Sequence, residues 1–361
     1  MAEVTGQRRG SVAVISLEPW DRVWRRNQHL VAELVGQRLV GLVRFISPPV
    51  KLRHVPRARP LPGVEVRTPH LLVPRRRGGD AVVAAEVSLV TRTCDVLWVN
   101  DARLGVHVLR RGQPVVYDVT DDWRTSEMSD ADRTALVAAE DLLAVRATTV
   151  VCSQVLADRW ADRYRVEPVV IQNGVALAAH ALASGRPLPG PGPHIVYVGS
   201  LHRERLDLAL LLALAAEPTV GQVDLVGPDS LDDASKRALA ASGKIVLHGP
   251  VSHEDVPSIM AGADVLICPH LVDFFTMSLD AIKSFEYLAT RRPVVATPTS
   301  GFQLLRGVPG LHVVESRSFV QAVVSALTAP EAQWAGRADL AGWDARARQF
   351  ASALEGVVGR G

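Results

Sequence analysis

Short runs of Val, Ile and Leu alternate along the chain with longer stretches of helical period. In the first half the runs at 11–16, 39–46, 64–68, 95–99, 114–119 and 148–152 are continuously apolar, which predicts strands buried on both faces of a parallel sheet. Helical patterns at 27–35 and 130–145 fit between them. Residues 168–172 then run into Asn173-Gly174-Val175, a turn signal. The Pro/Gly-rich stretch 185–193 reads as an inter-domain linker, after which the alternation restarts. Further strands are predicted at 194–198, 222–226, 244–247, 264–268, 293–296 and 311–314, with helices at 206–216, 232–241, 253–261 and 281–289. Two successive strand–helix series predict two doubly wound α/β domains, 11–167 and 168–330. A last helical pattern at 331–358 carries Trp334 and Trp343.

A length of 361 residues suits two such domains, and 48% apolar residues suffice for two cores. The net charge of +2 gives no global reason to expect nucleic acid. The charge is uneven, however: between Arg22 and Arg77 stand 13 Lys/Arg against 2 Asp/Glu. Such a segment suits an anion or a membrane surface as well as a solvated face. Cys94, Cys152 and Cys268 lie in or beside apolar runs at no metal or redox spacing, so buried thiols in a reducing compartment are expected. The first ten residues are polar and no run reaches the ~20 apolar residues of a membrane span. The expectation is a cytoplasmic protein, with peripheral contact at the inner face of the membrane.

The chemistry-bearing positions cluster at predicted strand ends. Lys283 and Glu286 are three apart in the first turns of one helix and share a face. A lysine at a helix start suits a diphosphate, and a carboxylate one turn on can accept hydrogen bonds from a ribose diol. Gly199 follows a predicted strand, where a glycine lets backbone approach a phosphate closely, and Arg205 could bind the diphosphate and stabilise it as it leaves. In the first domain, Asp118, Asp121, Asp122 and Trp123 end the strand that begins at Val115. An aspartate there could act as general base on an acceptor hydroxyl, Asp121 first and Asp122 second. At the exit of the first strand, Trp20 and Trp24 could stack on a sugar ring or a lipid-linked acceptor, and Arg25 and Arg26 could hold its phosphate. No P-loop, no dinucleotide fingerprint and no D-x-D pair of the sort used to hold a metal-bound nucleotide is found.

The K-x-x-E-Y-L-A segment from Lys283, followed by Pro293-Val294-Val295-Ala296-Thr297, resembles the donor-binding helix of nucleotide-sugar glycosyltransferases of the GT-B fold. The segment from Gly199 to Arg205 is similar to the phosphate loop of family-4 glycosyltransferases, with Ser200 in place of the usual arginine and Arg205 in place of the lysine. Tyr117-Asp118-Val119-Thr120-Asp121-Asp122-Trp123 resembles a stretch of teichuronic-acid-type glycosyltransferases and of xanthan-type glucuronosyltransferases. The resemblance implies two Rossmann-like domains facing a cleft, with a C-terminal helix crossing back to the first. It implies a nucleotide diphosphate sugar, uridine-type, on the second domain: Gly199, Arg205 and Lys283 at the diphosphate, Glu286 at the ribose, and His248 and Gly249 at the nucleobase. Ser278 stands where family-4 enzymes carry the first glutamate of an acidic pair, which leaves His270, Asp273 and Asp280 to contact the donor sugar. Asp121 would then act in a direct displacement with inversion. No metal or cofactor is implied, because cationic side chains and helix dipoles would neutralise the diphosphate. The acceptor could be a lipid-linked glycan, a polymer or a small molecule. A nucleotide-sugar 2-epimerase or an inactive sugar-nucleotide-binding subunit would use the same donor site.

Overall fold

The computed structural model describes residues 10–51, 55–278, 282–328 and 340–359. The chain divides into two units, Met1–Asn173 with Trp343–Gly361, and Gly174–Gly342.

The first unit is a seven-stranded sheet. Its strands are β1 (Ser11–Ile15), β2 (Leu42–Ile46), β3 (Val64–Arg67), β4 (Val96–Val99), β5 (Val115–Val119), β6 (Thr148–Val151) and β7 (Val169–Val170), in the order β3-β2-β1-β4-β5-β6-β7. Every pairing is parallel. The helices are α1 (Arg26–Gly36), α2 (Gly79–Thr91), α3 (Ala102–Val108), α4 (Asp130–Arg146) and α5 (Gln154–Tyr164). All five residues of β5 are buried, because helices on both faces leave no side of the strand to solvent. Side-chain caps start three of these helices: Asp101, Ser129 and Ser153 accept from Leu104, Asp132 and Leu156 backbone N–H, each worth about 1 kcal/mol.

The second unit has β8 (His194–Val198), β9 (Gln222–Val226), β10 (Ile245–Gly249), β11 (Val265–Cys268), β12 (Val294–Ala296) and β13 (Leu311–Val313) in the order β10-β9-β8-β11-β12-β13, again all parallel. Its helices are α6 (Leu177–Leu182), α7 (Leu208–Ala216), α8 (Asp233–Ala241), α9 (Val256–Ala261), α10 (Ile282–Ala289), α11 (Ser300–Gln303) and α12 (Ser316–Leu327). In each unit the first strand lies inside the sheet with the strand order reversing beside it, between β1 and β4 and between β8 and β11. Such a reversal opens a crevice at the carboxyl ends of the strands.

One feature differs from the sequence reading. The 185–193 stretch is part of the second unit and no linker: Arg186 N–H donates to Ser258 C=O at 2.9 Å, and Gln222 Nε2 donates to Pro189 C=O at 2.9 Å. Its glycines serve close packing, since a β-carbon on Gly190 would lie 2.1 Å from Gln222 Oε1. The chain passes between units at Asn173–Gly174, the turn signal of the sequence. The last helix, α13 (Trp343–Val358), packs on α1 of the first unit, with Phe350 against Trp98 of β4 at a ring separation of 4.2 Å.

All three cysteines are buried free thiols, and burial pushes Cys268 up to about 11. Among the described residues no helix is long and apolar enough to cross a membrane.

Candidate functional site

Three neighbouring strands of the second unit end alike. β8 runs into Gly199, β9 into Gly227, and β10 ends at Gly249, with φ of +153°, +147° and +72°. Only glycine takes such backbone without strain. The ends are laced together: Gly199 N–H donates to Val226 C=O and Gly227 N–H to Gly249 C=O, at 2.8 and 2.9 Å. The carboxyl edge of this sheet is therefore open, rigid backbone.

Over that edge stands α10. Tyr287 fixes it, its hydroxyl accepting from Val198 N–H at 3.0 Å and donating to Ile267 C=O at 3.1 Å. That one phenol ties α10 to both strands flanking the crevice, β8 and β11, and so places Glu286, the preceding residue, and Lys283, one turn earlier. Lys283 Nζ donates to Tyr197 Oη at 3.1 Å, lies 3.5 Å from His270 Nε2 and sits 4.8 Å from the Tyr197 ring centre. A β-carbon on Gly199 would come within 2.9 Å of Lys283 Cε and Nζ. The glycine predicted for phosphate approach thus also clears the slot in which the ammonium lies.

The neighbours of Lys283 are neutral. Burial, then the charges of Lys283 and Arg205, drive His270 well below its usual range. Its Nε2 faces an ammonium that can only donate, so the ring proton resides on Nδ1, which is buried without a partner. Burial also raises the Tyr197 phenol. For Lys283 itself burial works against the charge, Tyr197 and Cys268 work for it, and the net direction is upward. Among the described residues no carboxylate lies within ion-pair distance of Lys283, so a protonated amine stands at the crevice with phenol and imidazole as its only partners. Arg205 adds a second cation, its guanidinium 5.3 Å from the Phe275 ring centre, on the segment whose Leu206 bridges to His270.

Glu286 lies one turn from Lys283 on the same helix. Burial pushes its carboxyl up to about 7, with Lys283 pulling the other way. An acid with a raised folded pKa stabilises the fold least when ionised, so its cost develops as pH rises from its ordinary value of 4.5 through about 7. Glu286→Gln should therefore raise the melting temperature of the ligand-free protein at pH 8 and leave it nearly unchanged at pH 5. Scanning calorimetry at the two pH values measures this. An equal shift at both would contradict the assignment.

The other second-unit positions divide. His248 does not stand free at the strand end: the β9–β10 register slips there, and its Nε2 lies 2.6 Å from Asp224 Oδ1. Asp224, fully buried in β9, also takes His194 Nδ1 at 2.9 Å and Gln222 Nε2 at 2.6 Å. Asp273 is occupied as a cap, accepting from Thr276 N–H at 2.8 Å. Asp280 lies outside the described residues. Ser278 is buried and donates to Phe275 C=O.

In the first unit the three aspartates have three fates. Asp118 is fully buried and takes the Arg26 guanidinium at 3.1–3.2 Å through Nε and Nη2, while Arg26 Nη1 reaches Asn173 Oδ1 at 3.2 Å. Arg26, predicted to hold an acceptor phosphate, is directed into the unit and committed to that pair. Asp122 is 3% exposed and lies under Arg159 and Arg163 at 3.3 and 3.4 Å. Asp121 is half-buried and accepts from Thr120 Oγ1 at 3.3 Å. Near the first strand's exit, Trp20 packs edge-on against Phe45 and Trp24, Trp24 against His29, and His29 stacks on Trp343 at 4.7 Å. Arg25 lies beside them, 3.5 Å from Glu18.

The residues that sequence reasoning missed are Tyr197, Asp224 and Tyr287. Each lies within an apolar strand or helix face and reads there as core. The only signal was a single polar atom inside an otherwise aliphatic run.

Comparison with known proteins bears on both units. Residues 192–329, from β8 to beyond α12, match the family model described as glycosyl transferases group 1. Sucrose-phosphate synthase from Thermosynechococcus elongatus superposes with a TM-score of 0.71 over 98% of this chain and 97% of its own, at 16% identity. The fold is GT-B. Anabaena HepE, solved in complex with UDP and glucose, matches this GT-B chain with a TM-score of 0.66 at 17% identity, over 98% of both chains. A curated relative in Bacillus subtilis (strain 168), provisionally named teichuronic acid biosynthesis glycosyltransferase TuaH, is 26% identical over 199 residues, 51% of this chain and 50% of the relative. The match thus spans about half that relative's length.

Proposed function

We propose that the protein is a glycosyltransferase that moves a sugar from a nucleotide diphosphate sugar to an acceptor hydroxyl. The observation that carries this reading is the Lys283 ammonium, held at the crevice between β8 and β11 by the neutral Tyr197 and His270. A cation without a carboxylate partner at a strand-order reversal is a site for an anion. The group 1 family match over residues 192–329 and the UDP bound in HepE support a nucleoside diphosphate there.

In this reading Lys283 and Arg205 hold the diphosphate, the ionised Glu286 accepts from the ribose diol, and the β10 end around His248 and Gly249 adjoins the base. His270, Asp273 and Asp280 serve the donor sugar. Lys283 and Arg205 supply the positive charge that the leaving diphosphate needs, so the transfer proceeds without a metal ion. The acceptor, a lipid-linked glycan, polymer or small molecule, rests by Trp20, Trp24 and Arg25. Asp121 takes the proton of its hydroxyl. The new bond to the anomeric carbon forms as the bond to the diphosphate oxygen breaks, and configuration inverts. Asp122 and Arg26 are committed to buried ion pairs, with Arg159 and Arg163 and with Asp118, that support the first unit's fold. The enzyme works at the cytoplasmic side of a membrane, in peripheral contact with it.

The test is a thermal-shift screen against nucleotide sugars, since a ligand bound only by the native state raises apparent stability. The donor so found is then incubated alone and followed by NMR. Slow release of free sugar with intact donor stereochemistry agrees with a transferase awaiting its acceptor. Appearance of an epimeric sugar nucleotide would assign the fold to an isomerase instead.

A further inference from the structure

We propose that the face of the first unit formed by α2, the residues before it and the loop beside β3 is a docking surface for an anionic lipid bilayer. This deepens the peripheral contact included in the proposed function, and it rests on that reading for the membrane alone, not for the donor chemistry.

Three observations place the surface. First, α2 carries aliphatic side chains on its outer side, with Glu86 between them. Val82 is 42% and Leu89 59% exposed, seven residues apart and so on one face, and Leu72, which precedes the helix, is 66% exposed. Second, these aliphatics adjoin a basic patch. Glu86, between Val82 and Leu89 on the same face, lies 3.8 Å from His70 Nδ1, and the His70 segment pairs with Val50, next to exposed Lys51. Glu86 also acts electrostatically on Arg67 of β3, as does Arg57. Burial and then the Arg57 guanidinium lower Arg67 from its ordinary value, the mark of crowded like charge. Third, Glu65 and Glu86 neutralise only part of the patch. Among the described residues Lys51, Arg57 and Arg77 have no ion-pair partner, and Glu65 is shared by Arg44 and Arg59.

Exposed leucines set among arginines describe an interfacial surface: the aliphatics enter the boundary between headgroups and acyl chains, and the guanidiniums meet lipid phosphates. A nucleic-acid face would offer aromatic rings to stack on bases, whereas Leu72, Val82 and Leu89 are aliphatic. The surface would hold the enzyme where a lipid-linked acceptor resides.

Co-sedimentation of the full chain with phosphatidylglycerol-containing vesicles and with pure phosphatidylcholine vesicles tests this. We expect binding to the anionic vesicles only, weakened about fivefold for each of Arg57→Gln and Arg67→Gln and lost as salt is raised to about 0.5 M. The pair Leu72→Ser and Leu89→Ser should weaken it as well. No binding by the parent protein, or equal binding to both vesicles, would overturn the proposal. Loss in the arginine variants with full retention in the leucine pair would mark a general polyanion site and overturn it too. The nucleotide-induced thermal shift, measured on the same samples, reads the donor site independently, so either reading can fail while the other stands.

Discussion

Replacing Lys283 by alanine abolishes the response to nucleoside diphosphates, with affinity falling by at least about 100-fold. Loss of one partner from a desolvated, charge-assisted contact costs roughly 2–5 kcal/mol, and Lys283 is the cation nearest the crevice between β8 and β11. The same change should not harm the ligand-free fold. Among the described residues the ammonium is held by phenol and imidazole, so its removal leaves no buried carboxylate without its counter-charge. Lys283→Met should therefore melt close to the parent's temperature while showing no nucleotide-induced shift. The slot depends on Gly199, since an added β-carbon there would lie 2.9 Å from Lys283 Cε and Nζ, so Gly199→Ala should weaken binding as well. Titration calorimetry and thermal melts on the variants check this. A variant that melts early and still binds would make Lys283 a structural strut.

The second large effect separates two adjacent aspartates. Asp121→Asn should lower transfer by about 10³-fold, within the 10²–10⁴ range of a general base, with nucleotide binding and melting temperature unchanged. Asp122→Asn should do the reverse. Asp122 is buried beneath Arg159 and Arg163, so its neutralisation removes the buried carboxylate that both guanidiniums share, at a cost of roughly 3 kcal/mol. The protein then loses stability while its turnover per folded molecule holds. Full activity in Asp121→Asn would remove that residue from the mechanism.

The strands were legible because both sheets are parallel and covered on both faces, so β1, β5, β8 and β9 appear as unbroken aliphatic runs. Helix α2 was not read: it carries Val82 and Leu89 outward as well as Val83 and Val87 inward, so it shows little contrast between faces. The 185–193 stretch reads as a linker because a Pro/Gly-rich stretch looks the same whether it is a free linker or, as here, a close-packed approach to β9. At the candidate site, Lys283 and Glu286 were visible from their spacing and Gly199 from its strand-end position. What spacing could not supply was pairing. Arg26 reads as a surface cation, yet it turns inward to Asp118, and His248 reads as an open strand end, yet it reaches back to Asp224. Both depend on carboxylates brought near by the sheet, 92 and 24 residues away in sequence.

The central claim is that the carboxyl edge of the second sheet binds a nucleoside diphosphate through Lys283, with Glu286 on the ribose. Calorimetric titration of the parent protein with uridine, uridine monophosphate and uridine diphosphate, at pH 6 and pH 8, tests it most directly. The account predicts that only the diphosphate binds tightly, and more tightly at pH 8, where Glu286 is ionised. Equal affinity for all three ligands, or none for the diphosphate, would contradict it.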